Sequence, residues 1–127
     1  MKPRMMFAAM VAVALAATGV LAADGKAEAK APAKAGVQGE ILDLSCYLGH
    51  GGMGEGHSGC AAKCLKSGQP MGLLGTDGTV YLLFADHGDA SAYDKAKDLA
   101  GKKVEITGDV ATKDGLKGIT VHGVKAL

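Results

Sequence analysis

From Val37 onward the chain alternates apolar and polar positions in several short runs with the two-residue period of a β-strand. Val37, Ile41 and Leu44 mark a first strand over Val37 to Leu44. Met71 to Leu74 and Thr79 to Phe84 flank Gly75-Thr76-Asp77-Gly78, which predicts a hairpin with Asp-Gly supplying the positive-φ turn residues. Lys103 to Val110 and Gly118 to Val124 alternate in the same way around Lys113-Asp114-Gly115 and predict a second hairpin. Between the hairpins the period changes. Over Ala90 to Ala100, residues Ala92, Ala96, Leu99 and Ala100 fall on one side and Lys and Asp on the other, which predicts an amphipathic helix stopped by Gly101. The order is therefore three strands, one helix, two strands.

The amino end reads differently. Lys2 and Arg4 precede an almost wholly apolar run, Met5 to Leu21, and Val20-Leu21-Ala22 before Ala23-Asp24 offers small residues at a cleavage point. This is the pattern of a signal peptide over residues 1–23, and it predicts a periplasmic or secreted protein with no membrane attachment after cleavage. A lipid-anchored product would need a Cys directly after the cleavage point, and the first Cys is Cys46. Residues 24–36, DGKAEAKAPAKAG, have no large apolar side chain and cannot offset their ordering entropy, so they read as a flexible linker. One domain remains, over residues 37–127.

Without Lys2 and Arg4 the chain carries twelve basic against thirteen acidic residues, a net charge of −1. Such a balance exerts no pull on nucleic acid or on an anionic membrane surface.

The element order, together with the run AGKKVEITGDV, resembles the OB-fold of small exported domains. The resemblance implies a mainly β protein with short helices, a five-stranded OB-fold-like barrel. OB-folds that bind oligonucleotides stack bases on aromatic rings, and beyond the leader this chain has only Tyr47, Tyr81, Phe84 and Tyr93. Nucleic-acid binding is thus disfavoured by both charge and composition.

The chemistry is concentrated in residues 45–71, the connection between the first two strands. It holds all three cysteines, Cys46, Cys60 and Cys64, together with His50, His57, Met53 and Met71. Ser58 is placed to cap a short helix over Gly59 to Ser67, with Gly68 past its end and Pro70 beyond. On that helix Cys60 and Cys64 are one turn apart and project from one face, and His57 stands at its entrance. Thiolates with imidazole select soft ions, here copper or zinc, over calcium or magnesium. The candidate ligands are Cys46, Cys60, Cys64, His57, His50 and Met71. The paired C-x2-C spacing of common zinc sites is absent.

Cys60 and Cys64 with Met71 seven residues on resemble the copper loop of cytochrome oxidase subunit two. That pattern, which holds a dinuclear centre, requires His where this chain has Gly68, and the surrounding strands do not read as a cupredoxin, so the residues read instead as a mononuclear copper(I) site of Cys60 and Cys64 with Cys46, His57 or Met71. The segments CYLGH and HSGCAAKCLKSGQPMGLL are similar to those of exported bacterial OB-fold-like domains of uncharacterised type, a resemblance that implies no particular activity.

Two other readings use the same residues. An exported domain of this size commonly staples itself with disulfides, and three cysteines would leave one thiol over for burial or for another periplasmic protein. A thiol-redox protein is the second. Catalysis is the weakest reading: there is no Ser-His-Asp order, phosphate loop or nucleotide fingerprint, and Cys-His pairs drawn from Cys60 and His57 or Cys46 and His50 rest on proximity in sequence alone. His122, alternating with Val121 and Val124, is expected to face solvent.

Overall fold

The computed structural model describes residues 30–127, with side chains from residue 34. The expected signal peptide and the start of the linker lie outside the described residues. Five strands, β1 (Lys30–Asp43), β2 (Met71–Gly75), β3 (Val80–Ala85), β4 (Lys103–Lys113) and β5 (Leu116–Ala126), form a closed barrel in the order β1-β2-β3-β5-β4. Helices α1 (Leu44–His50) and α2 (Ser58–Lys66) fill the connection between β1 and β2, and α3 (Ser91–Lys97) lies between β3 and β4. All neighbouring strands are antiparallel except β3 and β5, whose parallel pairing from Leu82↔Gly118 to Ala85↔Val121 closes the barrel. This is the mainly β, OB-fold-like architecture expected from the element order.

β1 is long because two neighbours share it. Its first part pairs with β4 as far as Glu40↔Lys103, and its last five residues pair with β2 from Gly39↔Gly75 to Asp43↔Met71. Gly39 stands where the two pairings overlap, and a Cβ there would meet the Leu74 carbonyl oxygen at 2.3 Å. Only a residue without a side chain lets the strand pass so close to its neighbour. The pairing with β4 begins at Lys30, so the last seven residues of the expected linker, 30–36, belong to the sheet. Their small side chains could not signal a strand. Backbone hydrogen bonds to β4 supply the order that their own burial would not.

Alternation places Ile41 of β1, Leu73 of β2, Leu83 of β3, Val104 and Ile106 of β4, and Ile119 and Val121 of β5 in one core. Ala61 and Leu65, four apart on α2, enter the same core, as do Ala96 and Ala100 at α3. The long insertion is therefore part of the folded body, fixed to the barrel by two apolar side chains on one helix face.

The hairpin turns differ in detail from expectation. In the first, only Gly78 has positive φ (+80°), and the Asp77 carboxylate instead accepts the Thr79 N–H at 2.9 Å. In the second, Asp114 (φ +50°) and Gly115 (+84°) both do, giving the two-residue turn whose twist suits a hairpin. β4 and β5 consequently run further toward that turn than the apolar alternation alone indicated.

Candidate metal centre

Sequence alternation carried the first strand to Leu44, but the chain turns into a helix there. Asp43 is the reason. Its Oδ1 accepts the backbone N–H groups of Ser45 (2.9 Å) and Cys46 (3.5 Å), capping α1, and Gly51 in the left-handed region (φ +71°) ends the helix one residue after His50. The cap, the His in the last turn and the terminal Gly were present in the sequence as a complete start and stop signal. They were masked by the apolar run Ile41-Leu42 leading into Leu44.

The consequence for chemistry is direct. Cys46 and His50 are one turn apart on α1, as Cys60 and Cys64 are on α2, so each helix offers an i, i+4 pair of donors on one face. The equal C-x3-H and C-x3-C spacings are the signal that reading α1 as loop obscured.

α2 itself begins at Ser58, one residue before the expected start, with His57 at the cap position. Ser58 does not cap through its side chain. Its hydroxyl donates to the Glu55 carbonyl at 2.8 Å, inside a single 3-10 turn over Glu55–His57 that leads into the helix. Gly68 (φ +99°) lies just past the end, as the sequence indicated. Cys60 and Cys64 each immediately precede a core residue, Ala61 and Leu65, which sets the helix's rotation and hence the direction of both thiols.

Among the described residues two groups of three donors are spaced to hold a metal ion. The thiols of Cys46, Cys60 and Cys64 lie within 4.8 Å of one another, and so do the donor atoms of Cys46, His50 and His57. All three cysteines are free; no disulfide is formed. Cys60 is exposed, whereas Cys46 and Cys64 are half-buried. The two imidazoles meet edge to face, with ring centroids 5.5 Å apart.

The glycine-rich loop holds the His side of the cluster by close approach. A Cβ on Gly52 would fall 2.8 Å from His57 Nε2 and 3.1 Å from His50 Cε1, so the backbone at 52 lies directly against both rings. The Gly54 N–H donates to the Glu40 carboxylate of β1, and the Gly54 carbonyl and Ser58 pack where a Cβ on Gly101 would stand. The loop is thereby tied to the barrel at β1 and at the turn just ahead of β4.

Two buried polar atoms of the described side chains have no hydrogen-bond partner, Asp43 Oδ2 and His57 Nε2, and both belong to this cluster. Buried polar atoms are nearly always satisfied, so an unpaired imidazole nitrogen in this cluster stands out. Asp43, fully buried, acts on the thiols. Burial pushes its carboxyl up, but interaction with the Cys46 thiol and with the N–H groups of Ser45 and Cys46 outweighs this and holds it below the usual carboxylate range. The Cys46 thiol in turn is pushed up to about 12, first by its interaction with the Asp43 carboxylate. Cys64 is raised by burial and then by Asp43. The metal-free site thus keeps its protons on both half-buried sulfurs at neutral pH.

Searches against protein-family models, curated proteins and solved structures found no match. The chemistry of the cluster is therefore read from its own geometry.

Of the six candidate ligands, five come together: Cys46, Cys60, Cys64, His50 and His57. Met71 is placed otherwise. It is 1% exposed and packs in the core with Ile41, Leu65 and Leu73, so its thioether serves as a filler of the barrel interior. Asp43, which caps α1 and keeps the proton on the Cys46 thiol from behind, lies outside the six candidate ligands. His122 is partly exposed, as expected, and lies between two carboxylates, with Nδ1 3.1 Å from Asp86 and Nε2 2.9 Å from Asp109.

Proposed function

We propose that the protein binds a soft metal ion, copper(I) or zinc, through the thiols of Cys46, Cys60 and Cys64, and that it handles this ion in the periplasm or outside the cell. The observation that carries the reading is the convergence of three free thiols within 4.8 Å from two separate helices, each helix positioned by the fold. Soft thiolate sets select copper(I) and zinc. Metal binding replaces the thiol protons and offsets the negative charge that Asp43 adds behind them.

The raised thiols argue against the thiol-redox alternative. Redox-active cysteines work as thiolates with lowered pKa, and here Asp43 shifts Cys46, and burial with Asp43 shifts Cys64, the other way. The exposure of Cys60 beside two half-buried partners suits exchange with a carrier: the outer sulfur can meet an incoming ion first, and the inner two then take it up.

The test is intact mass, native and denatured, of protein purified without reductant or chelator. The reading expects a retained copper or zinc ion and three reduced cysteines on denaturation, with the metal lost in the Cys60→Ser, Cys64→Ser double variant. Protein that is metal-free and two hydrogens lighter would replace it with a disulfide-stapled domain.

A further inference from the structure

The geometry points to a site for two soft metal ions, bridged by the Cys46 thiolate, with Cys60 and Cys64 completing one ion's ligands and His50 and His57 the other's. This inference rests on the thiol-based metal binding proposed above and adds the number of ions, the bridging atom and the role of the histidines.

It starts from how the five donors divide. Two donors on opposite sides of one ion stand no further apart than two metal–sulfur bonds, about 4.6 Å. Cys46, Cys60 and Cys64 lie within 4.8 Å of one another as one group, close to that limit, and Cys46, His50 and His57 as another. Among the described residues no group of four or five does. The histidines therefore do not complete the thiol triad around a single ion. They form a second triad, and Cys46 is the member common to both.

A thiolate is suited to that position. Its sulfur has more than one lone pair, so once deprotonated it can bond to two ions at once, and two-metal sites in proteins hold their ions about 3.5 to 4 Å apart. An imidazole offers one ring nitrogen to an ion, so each histidine can serve only the second centre.

Local construction supports the His arm independently of the thiols. His57 Nε2 is buried without a hydrogen-bond partner, a costly arrangement unless a ligand takes the lone pair. Gly52 presses against that same nitrogen and against His50, so the loop holds the two rings as a pair, in edge-to-face contact at 5.5 Å. Two tethers fix the loop, Glu40 to the Gly54 N–H and the packing on Gly101. A pair of solvated loop histidines would need none of this.

Charge favours the second ion as well. Three thiolates around one copper(I) leave a net charge of −2 beside the buried Asp43 carboxylate. A second copper(I) bound through neutral imidazoles brings the cluster to −1, which relieves repulsion in a partly buried setting.

The experiment titrates the purified, reduced protein with copper(I) under anaerobic conditions and reads stoichiometry by native mass spectrometry, with X-ray absorption for a metal–metal distance. Two ions per chain and a short metal–metal vector are expected. The His50→Ala, His57→Ala double variant is expected to bind one ion and lose the vector, and Gly52→Ala, which keeps every donor residue but crowds both imidazole rings, to weaken the second ion selectively. One ion in the unsubstituted protein, or two ions undisturbed by the histidine changes, would overturn the bridged site while leaving thiol-based binding intact. No ion at all would overturn both.

Discussion

The Asp43 carboxylate acts on Cys46 at backbone and side chain alike: Oδ1 accepts the Cys46 backbone N–H at 3.5 Å, and the same carboxylate raises the pKa of the Cys46 thiol. One buried acid thus builds the helix that presents the thiol and keeps that thiol neutral until something displaces the proton.

Replacing Asp43 with Asn separates the two roles. The amide oxygen still caps α1, since Asn is as good a cap as Asp, but the negative charge is gone. Cys46 and Cys64 should then ionise at lower pH, and alkylation of the metal-free protein at pH 8 should speed up roughly tenfold, the change in thiolate fraction that one pKa unit brings. An unchanged rate in a variant with unaltered circular dichroism would show that Asp43 does not govern the thiols.

Metal affinity should rise with pH. Cys46 and Cys64 hold their protons in the folded protein to higher pH than free cysteine does, and the ion must displace them. Calorimetry in buffers of different ionisation enthalpy should register proton release on binding at pH 7. For the metal-free fold the linkage runs the other way: the raised thiols contribute stability below the ordinary cysteine pKa, and that contribution is lost as pH climbs toward 12. Denaturant midpoints of the metal-free protein between pH 8 and pH 11 should therefore fall more in the parent than in Asp43→Asn.

Oxidant should act only on the metal-free form. Sulfurs within 4.8 Å need a small movement to reach bonding distance, so mild oxidation should remove two hydrogens and leave one alkylatable thiol. Prior loading with copper(I) or zinc should block this, and intact mass after alkylation reads both. Equal oxidation with and without metal would mean the ion is held elsewhere.

Acid should loosen the loop after β3. The Asp86 carboxyl is held low by the Gly88 and Asp89 N–H groups, so its contribution to stability is present above the ordinary carboxylate pKa and is lost as pH falls through its folded value. Asp86→Ala should lower the urea midpoint at pH 7 and have a smaller effect at pH 2.5. A deficit independent of pH would assign the role of Asp86 to packing alone.

Much of this was legible in the chain. Residues with an unmistakable period, such as Val104, Ile106, Ile119 and Val121, went where alternation put them, and α2 and α3 fell within one to three residues of their signals. What escaped had a physical reason. α1 is only seven residues long and starts inside an apolar run, so its period could not show against the strand before it. Residues 30–36 are ordered by backbone pairing with β4, which side-chain composition does not report. The gathering of five donors was foreseeable as a list; its division into two groups about Cys46 depends on how α1 and α2 lie on the barrel, and no local spacing encodes that.

Cys60 and Cys64 are each one residue ahead of a side chain sunk in the barrel. The aim of the donors and the seating of the helix are consequently a single variable. Insertions among the glycines upstream would disturb the histidine side of the cluster but not the seating of α2, whereas one residue gained or lost between Cys60 and Leu65 would swing the helix by about 100° relative to the core. A requirement for a folded barrel therefore also preserves the direction of the thiols on α2, without any requirement placed on the thiols themselves.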